Sequence, residues 1–338
     1  MSRLASLIVL ILYSTTLCNT SHQQIVGQND TLCKASDVQE RNCTTTGTPP
    51  DTRSSSTDHS RGHSNHVAKN FSKCGQSSTM LPRKILGGYH VQSGDWPWIV
   101  ALGYRRGTNT TILWQCEGTL ISDTWVITAA HCVQGMGSLV LTTVRAGDLD
   151  LNDEVKDGAS PVDIKVSQSI VHPEFLTRPP INDIALLRLN SSIKFNENIS
   201  AICLLNKEEY KSDKVYERKI PYYVVGWTLA YTQQESSRSK MIQEFEVEIE
   251  DVKTCSEKYK SEGYHDKTLI NERVLCANHH YHNKDSCYTD SKGPMMIPHN
   301  GSIYLAGISS YGLKCSHLPA VYTRVAYFTD WIRNTTGI

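Results

Sequence analysis

Thr128-Ala129-Ala130-His131-Cys132 sets a histidine in a small-residue turn directly after the apolar run Trp125-Val126-Ile127, with a cysteine at its side. Two distant stretches complete a chemistry with it: Asn182-Asp183-Ile184-Ala185-Leu186, and Cys287-Tyr288-Thr289-Asp290-Ser291-Lys292-Gly293-Pro294. A serine hydroxyl is a poor nucleophile near neutral pH and needs a neighbouring base to accept its proton as it attacks a carbonyl. An imidazole can be that base, and a buried carboxylate on its other ring nitrogen fixes the tautomer and stabilises the imidazolium. The chain has 13 histidines, so a histidine alone says little; the residues around His131 single it out. No cysteine stands at the nucleophile position, which argues against thiol chemistry. His279, His280 and His282 cluster without the helical spacing or partnered cysteines of a zinc site, and no metal or cofactor is expected.

The order His, Asp, Ser, with a cysteine after the histidine and another before the serine, resembles the chymotrypsin-like (trypsin-family) serine proteases from about Ile85 to the C-terminus. Within that family the chain is similar to secreted arthropod clip-type and venom proteases. The resemblance implies two six-stranded antiparallel β-barrels, the active site in the cleft between them and a C-terminal helix. His131 and Asp183 would come from the first barrel and Ser291 from the second.

It also implies roles for other residues. Ser310 matches a serine that hydrogen-bonds the aspartate. The backbone N–H groups of Thr289 and Ser291 would form the oxyanion hole. Asp285, six residues before Ser291, would floor a pocket for a Lys or Arg side chain, with Gly312 on one wall and Ala320, in place of a glycine, on the other. Implied disulfides are Cys116–Cys132, Cys255–Cys276 and Cys287–Cys315, leaving Cys33 to Cys43 and Cys74 to Cys203. Arg83-Lys84-Ile85-Leu86-Gly87-Gly88 looks like a zymogen cleavage site. A cut after Lys84 would free an α-amino group on Ile85, whose buried charge requires a carboxylate, and Asp290 is the candidate.

The pattern breaks at three places. Thr289 and Lys292 flank the nucleophile where the family has glycine, and Glu117 follows Cys116 where Cys-Gly-Gly is usual. Two function classes follow. One is a secreted endopeptidase in an extracellular cascade, with protein or peptide substrates cut after Lys or Arg, an upstream activating protease and a protein inhibitor as partners. The other is a catalytically impaired homologue acting as a binding cofactor, decoy or inhibitor.

Composition sets the remaining bounds. Thirty-four Lys and Arg balance 34 Asp and Glu, so there is no global bias towards nucleic acid. Arg3 and the apolar run Leu4 to Leu12 read as a signal peptide over residues 1–20, too short to span a bilayer comfortably; no membrane association is expected. Of 11 cysteines, Cys18 lies in that leader, and the remainder is an even set suited to disulfides in a secreted chain. Asn29, Asn42, Asn70, Asn109, Asn190, Asn198, Asn300 and Asn334 head Asn-x-Ser/Thr sequons, which favours a glycosylated extracellular protein. Residues 21–84 read as a Cys-containing propeptide or light chain with a polar linker from Thr44 to His66, and residues 85–338 as the protease domain. The acidic run Asp148, Asp150, Asp153 and Glu154 reads as a solvated loop rather than a calcium site. Downstream, short β-branched runs broken by Gly, Asn, Asp and Pro give an all-β signature, and Tyr327 to Arg333 spaces apolar residues at helical intervals.

Overall fold

Strands dominate, as the short β-branched runs dictate. A computed structural model describes residues 73–77, 89–206, 221–227, 241–266, 269–279, 293–312 and 318–338. All fall within the unit His66–Ile338. The proposed leader, the Thr44–His66 linker and the Lys84-Ile85 junction lie outside the described residues.

The first barrel is closed by β2 (Ile99–Arg106), β3 (Leu113–Leu120), β4 (Trp125–Thr128), β5 (Leu139–Ala146), β6 (Val162–Val171) and β9 (Ala185–Leu189), in the order β2-β3-β4-β9-β6-β5. All its pairings are antiparallel. Closure leaves no unpaired edge and turns alternate side chains inward. Leu102, Leu120, Ile127 and Leu186 are fully buried inside, each stabilising the fold by roughly 1.5–3 kcal/mol relative to exposure. Between β6 and β9 a small hairpin, β7 (Leu176–Thr177) with β8 (Pro180–Ile181), leads into Asp183.

The second barrel is a ring of β12 (Ile242–Glu250), β11 (Tyr222–Trp227), β14 (Pro294–His299), β15 (Ser302–Tyr311), β16 (Ala320–Arg324) and β13 (Val274–His279), closed by the β12–β13 pairing. Here too neighbours run antiparallel. In β12 burial alternates from Phe245 onward, with Phe245 and Val247 inside and Glu246 and Glu248 exposed, while Ile242 is buried at the start of the strand. Two short strands join the ring from outside: β1 (Tyr89–His90) pairs with β12, and β10 (Cys203–Leu204) runs parallel to β15. The barrels share an apolar junction in which Trp98, Tyr223, Met296 and Val325 belong to one buried cluster, and Trp98 Nε1 lies 2.8 Å from Met296 Sδ.

Two helices complete the described chain. α1 (Val252–Ser261), which the sequence reading did not pick out, starts where the Asp251 carboxylate accepts the Thr254 N–H and buries Cys255 and Tyr259. The expected C-terminal helix is α2 (Thr329–Thr336), preceded by a 3-10 turn at Val325–Phe328 and stopped at Gly337, whose φ of 77° suits a left-handed cap. Among the described residues, no helix is long and apolar enough to cross a membrane.

Among the described residues there are three disulfides: Cys74–Cys203, Cys116–Cys132 and Cys255–Cys276. Cys33, Cys43, Cys287 and Cys315 lie outside the described residues. The Cys74 segment is also held by its backbone, with the Gly75 N–H donating to Ala201 O and the Ile303 N–H to Gly75 O.

The acidic run is solvated at Asp153 and Glu154, as expected, but turned inward at Asp148. Arg145, on β5, directs its guanidinium to Asp148 (3.4 Å), Asp153 (2.5 Å) and Asp163 (2.7 Å) while lying over the Trp114 ring. Asp148 is buried, at 8% exposure. Of the run, Asp148 and Asp153 therefore face a cation from β5 as well as solvent.

Candidate active site

Asp183 follows a sharp backbone turn. Asn182 takes a positive φ of 52°, a conformation that Asn tolerates better than most residues. Its side chain is held from both ends, Nδ2 donating to Glu174 O and Oδ1 accepting from Arg273 Nη1. The turn drives Asp183 inward to 1% exposure. A carboxylate so buried must be met by donors, and three meet it. The His131 N–H donates to Oδ1 at 2.9 Å, His131 Nδ1 lies 2.8 Å from Oδ2, and Ser310 Oγ donates to Oδ2 at 2.6 Å. Thr323 Oγ1 donates to the Asp183 carbonyl at 2.8 Å.

These donors come from both barrels. His131 sits in the 3-10 turn Ala130–Cys132 that leaves β4. That turn is pinned by the Cys116–Cys132 disulfide and by the Tyr104 hydroxyl, which donates to Cys132 O at 2.7 Å. Ser310 and Thr323 belong to β15 and β16. The acid of one barrel is therefore gripped by hydroxyls of the other. Beside Ser310, burial, with lesser contributions from Tyr259 and the Asp183 charge, pushes the Tyr311 phenol well above its usual range. It stays protonated and donates to Leu269 O at 2.9 Å.

With Nδ1 committed to the carboxylate, the neutral imidazole carries its lone pair on Nε2. The His131 side chain is 31% exposed, against 1% for Asp183. Such a ring can accept a proton on its outer nitrogen while the buried charge stabilises the cation that results. The arrangement is suited to general-base work.

Of the residues named from sequence, the structure brings together His131, Asp183 and Ser310. Gly312 and Ala320 also approach one another: a Cβ built on Gly312 would lie 3.2 Å from Ala320 Cα and 3.5 Å from its Cβ. Asp285, Thr289, Asp290, Ser291 and Lys292 lie outside the described residues, as do Lys84 and Ile85. Thr323 and Asn182 were not anticipated as supports of the aspartate. Asn182 was legible as the residue before Asp183, whereas Thr323 reaches it only because β16 closes the second barrel. Among the described residues, the His/Cys grouping close enough to ligate a metal is Cys116, His131 and Cys132. Its two sulfurs are bonded to each other and offer no thiolate.

The paired six-stranded antiparallel barrels, at whose joint His131 and Ser310 meet on Asp183, have the chymotrypsin-like fold. The trypsin family model matches residues 85–332, and the chain belongs to the trypsin family of serine proteases. Venom serine protease Bi-VSP of Bombus ignitus is 37% identical over 264 residues, spanning 76% of this chain and 69% of that protein. The proclotting enzyme of Tachypleus tridentatus is 34% identical over 268 residues, spanning 77% and 68% respectively. Among solved structures, the Drosophila Grass clip serine protease of the Toll pathway superposes with a TM-score of 0.62 at 27% identity, covering 80% of this chain and 76% of that one.

Proposed function

We propose that the chain is a secreted, glycosylated serine endopeptidase, made as a zymogen, that cuts peptide bonds after Lys or Arg. The observation that carries this is the doubly held His131–Asp183 pair, with Ser310 on the same carboxylate oxygen. Ser291 is the nucleophile. As its Oγ attacks the scissile carbonyl, the proton passes to His131 Nε2, Asp183 stabilises the imidazolium, and the N–H groups of Thr289 and Ser291 receive the oxyanion. Collapse expels the amine, which takes the proton from His131. Water then hydrolyses the acyl-enzyme by the same route. Asp285 selects the cationic side chain, between Gly312 and Ala320.

Cleavage after Lys84 would free the Ile85 amine to pair with Asp290. The Cys74–Cys203 disulfide supports a light chain that stays attached after that cut. Cys33–Cys43 and Cys287–Cys315 complete the disulfide set. Similarity to a proclotting enzyme and to a Toll-pathway protease supports a place in an extracellular cascade, with an upstream activating protease, a protein substrate and a protein inhibitor. Secretion is further supported by the leader-like run and by exposed Asn109, Asn190, Asn300 and Asn334, each heading a sequon.

The test is to cut the full chain after Lys84, then measure hydrolysis of a Lys or Arg peptide ester and covalent labelling by a fluorophosphonate, with Ser291→Ala as control. Labelling above the control, with turnover of the basic ester, is expected. Thr289 and Lys292 favour the second class, a protease homologue that binds without cutting. Labelling no greater than the control would establish that class instead.

A further inference from the structure

Asn182, whose backbone turn sets the direction of Asp183, is clamped between the two barrels. Its first-barrel end is fixed. Asn182 Nδ2 donates to Glu174 O at 2.9 Å, the Glu174 backbone N–H donates to His172 Nδ1 at 3.2 Å, and the His172 backbone N–H donates to Ile184 O at 3.1 Å. The other end is Arg273, the residue before β13, whose Nη1 donates to Asn182 Oδ1 at 3.2 Å. Arg273 is itself held at both backbone groups, its N–H donating to Asn271 Oδ1 at 3.0 Å and its carbonyl accepting the Arg324 N–H at 2.8 Å.

Each part of this clamp bears on the aspartate. Asn182 is 7% exposed and keeps a φ of 52°, and a conformation that unfavourable for a residue with a side chain persists only where the surroundings hold it. Its Cα lies about 3.8 Å from that of Asp183, so a shift of the turn passes directly to the carboxylate that orients His131. Arg273 and Asp183 line one small cavity with Ser310 and Thr323. The two hydroxyls bond the aspartate itself, whereas Arg273 grips the residue before it. The Arg273 Nε is buried and, among the described residues, has no hydrogen-bond partner. An unpaired buried donor is a cost to the fold, so stability alone does not account for a guanidinium here, and its bond to Asn182 gives it another use.

We propose that Arg273 is a positioning residue for Asp183: its guanidinium, carried by the second barrel, locks the Asn182 turn and with it the height at which Asp183 meets the ring of His131. It acts through Asn182 rather than on the reacting atoms. Ser310 and Thr323 fix what Asp183 bonds to, and Arg273 fixes where it stands. This rests on the peptidase assignment above, and the experiment separates the two.

Four variants are made in the full chain and activated identically: Arg273→Met, which keeps the reach of the side chain without its donors; Arg273→Lys, which keeps a cationic donor; Asn182→Gly, which suits a positive φ and removes both side-chain bonds; and Asn182→Gly with Arg273→Met. Arg273→Met is expected to lower kcat for a basic peptide ester by about 10-fold, short of the roughly 100-fold that a misplacement of about 1 Å can cost, with KM little changed. It is also expected to displace the low-field N–H proton resonance of the His131 ring. Arg273→Lys should restore that resonance and bring kcat to within about threefold of the parent. In the Asn182→Gly background the methionine change should cost less than about threefold more, since a residue that acts through Asn182 loses its route with it. A parental kcat and resonance in Arg273→Met, losses that multiply in the double, or an Arg273→Lys variant no better than Arg273→Met would overturn the proposal. If Arg273→Met does not fold, Asn182→Asp, which keeps the acceptor facing Arg273, is set against Asn182→Gly, which loses it: a higher kcat in the aspartate variant supports the clamp, and one no higher overturns it. A parent that fluorophosphonate labels no better than Ser291→Ala overturns the peptidase assignment alone. The ring resonance then decides the clamp: displaced by Arg273→Met and restored by Arg273→Lys it supports the proposal, and any other pattern overturns it.

Discussion

Asp183 holds His131 at two points, accepting the backbone N–H on Oδ1 and the ring Nδ1 on Oδ2. One contact sets where the residue sits and the other sets how its ring turns. Asp183→Asn keeps the size of the side chain but presents an amide that can donate to Nδ1, which favours the wrong tautomer. In a Ser-His-Asp machine that change costs about 10,000-fold in kcat. The expected result is a loss of that order with KM for a basic peptide ester little altered, measured by steady-state kinetics at pH 8. A loss of less than tenfold would show that His131 does not act as the base.

Ser310 and Thr323 reach the same aspartate from the opposite barrel, by its carboxylate and its carbonyl. Thr323→Val preserves shape and removes one donor from a buried acceptor, so it should destabilise by about 1–3 kcal/mol in urea unfolding. Ser310→Ala deprives the carboxylate itself of a donor. It is expected to lower kcat as well as stability, whereas Thr323→Val lowers stability with a smaller effect on kcat. Identical kinetic effects of the two would refute a special link between Ser310 and the ring-bearing oxygen.

Acid sensitivity should originate partly at His172, away from the candidate site. Burial lowers its pKa, with Glu174 opposing and Arg273 reinforcing the shift, and its ring packs edge-on against Phe328 and Trp331 of the C-terminal region. The folded form prefers neutral imidazole. As pH falls through about 6.5 the unfolded chain takes up this proton first, so stability from His172 is full above that value and is lost below it. Asp148 has the opposite sign: burial raises its pKa to about 6 despite Arg145, so between its unfolded value and pH 6 the folded state holds the extra proton and stability declines as pH rises. His172→Gln should therefore reduce the drop in Tm between pH 7.5 and pH 5.5. An unchanged drop would assign it to other groups.

The all-β class was readable because the strands are short, β-branched and punctuated, the pairing of two barrels was implied by the family resemblance, and the His131 and Asp183 motifs were legible because catalysis and burial constrain several adjacent residues at once. Ser310 was legible from its motif. Thr323 was not, since a threonine in a strand has no local mark of what it will face; its partner is 140 residues away. α1 carried a signal that went unread, Asp251 as N-cap with Val252, Cys255 and Tyr259 on one face, because so few apolar residues hardly stand out beside the lysines. Glu117 was visible as an oddity, but its side chain lies against Gly226 and Gly293, which only the closed second barrel brings to it.

Arg145 illustrates the same point with a different outcome. From the sequence, Asp148, Asp150, Asp153 and Glu154 form a charge run; in the fold, a guanidinium 12% exposed sits among Asp148, Asp153 and Asp163. Asp153 is 76% exposed and Asp163 38%, so their bonds to Arg145 are screened and contribute little. Asp148 is different, because removal of the cation leaves a buried acid with less to offset its burial. Arg145→Gln should thus destabilise the chain by roughly 1–3 kcal/mol, mostly through Asp148. Adding Asp148→Asn to Arg145→Gln should recover part of the loss, since the second change removes the stranded charge. If the losses in Tm instead add, Asp148 and Arg145 are independent and the guanidinium serves mainly to pack on Trp114.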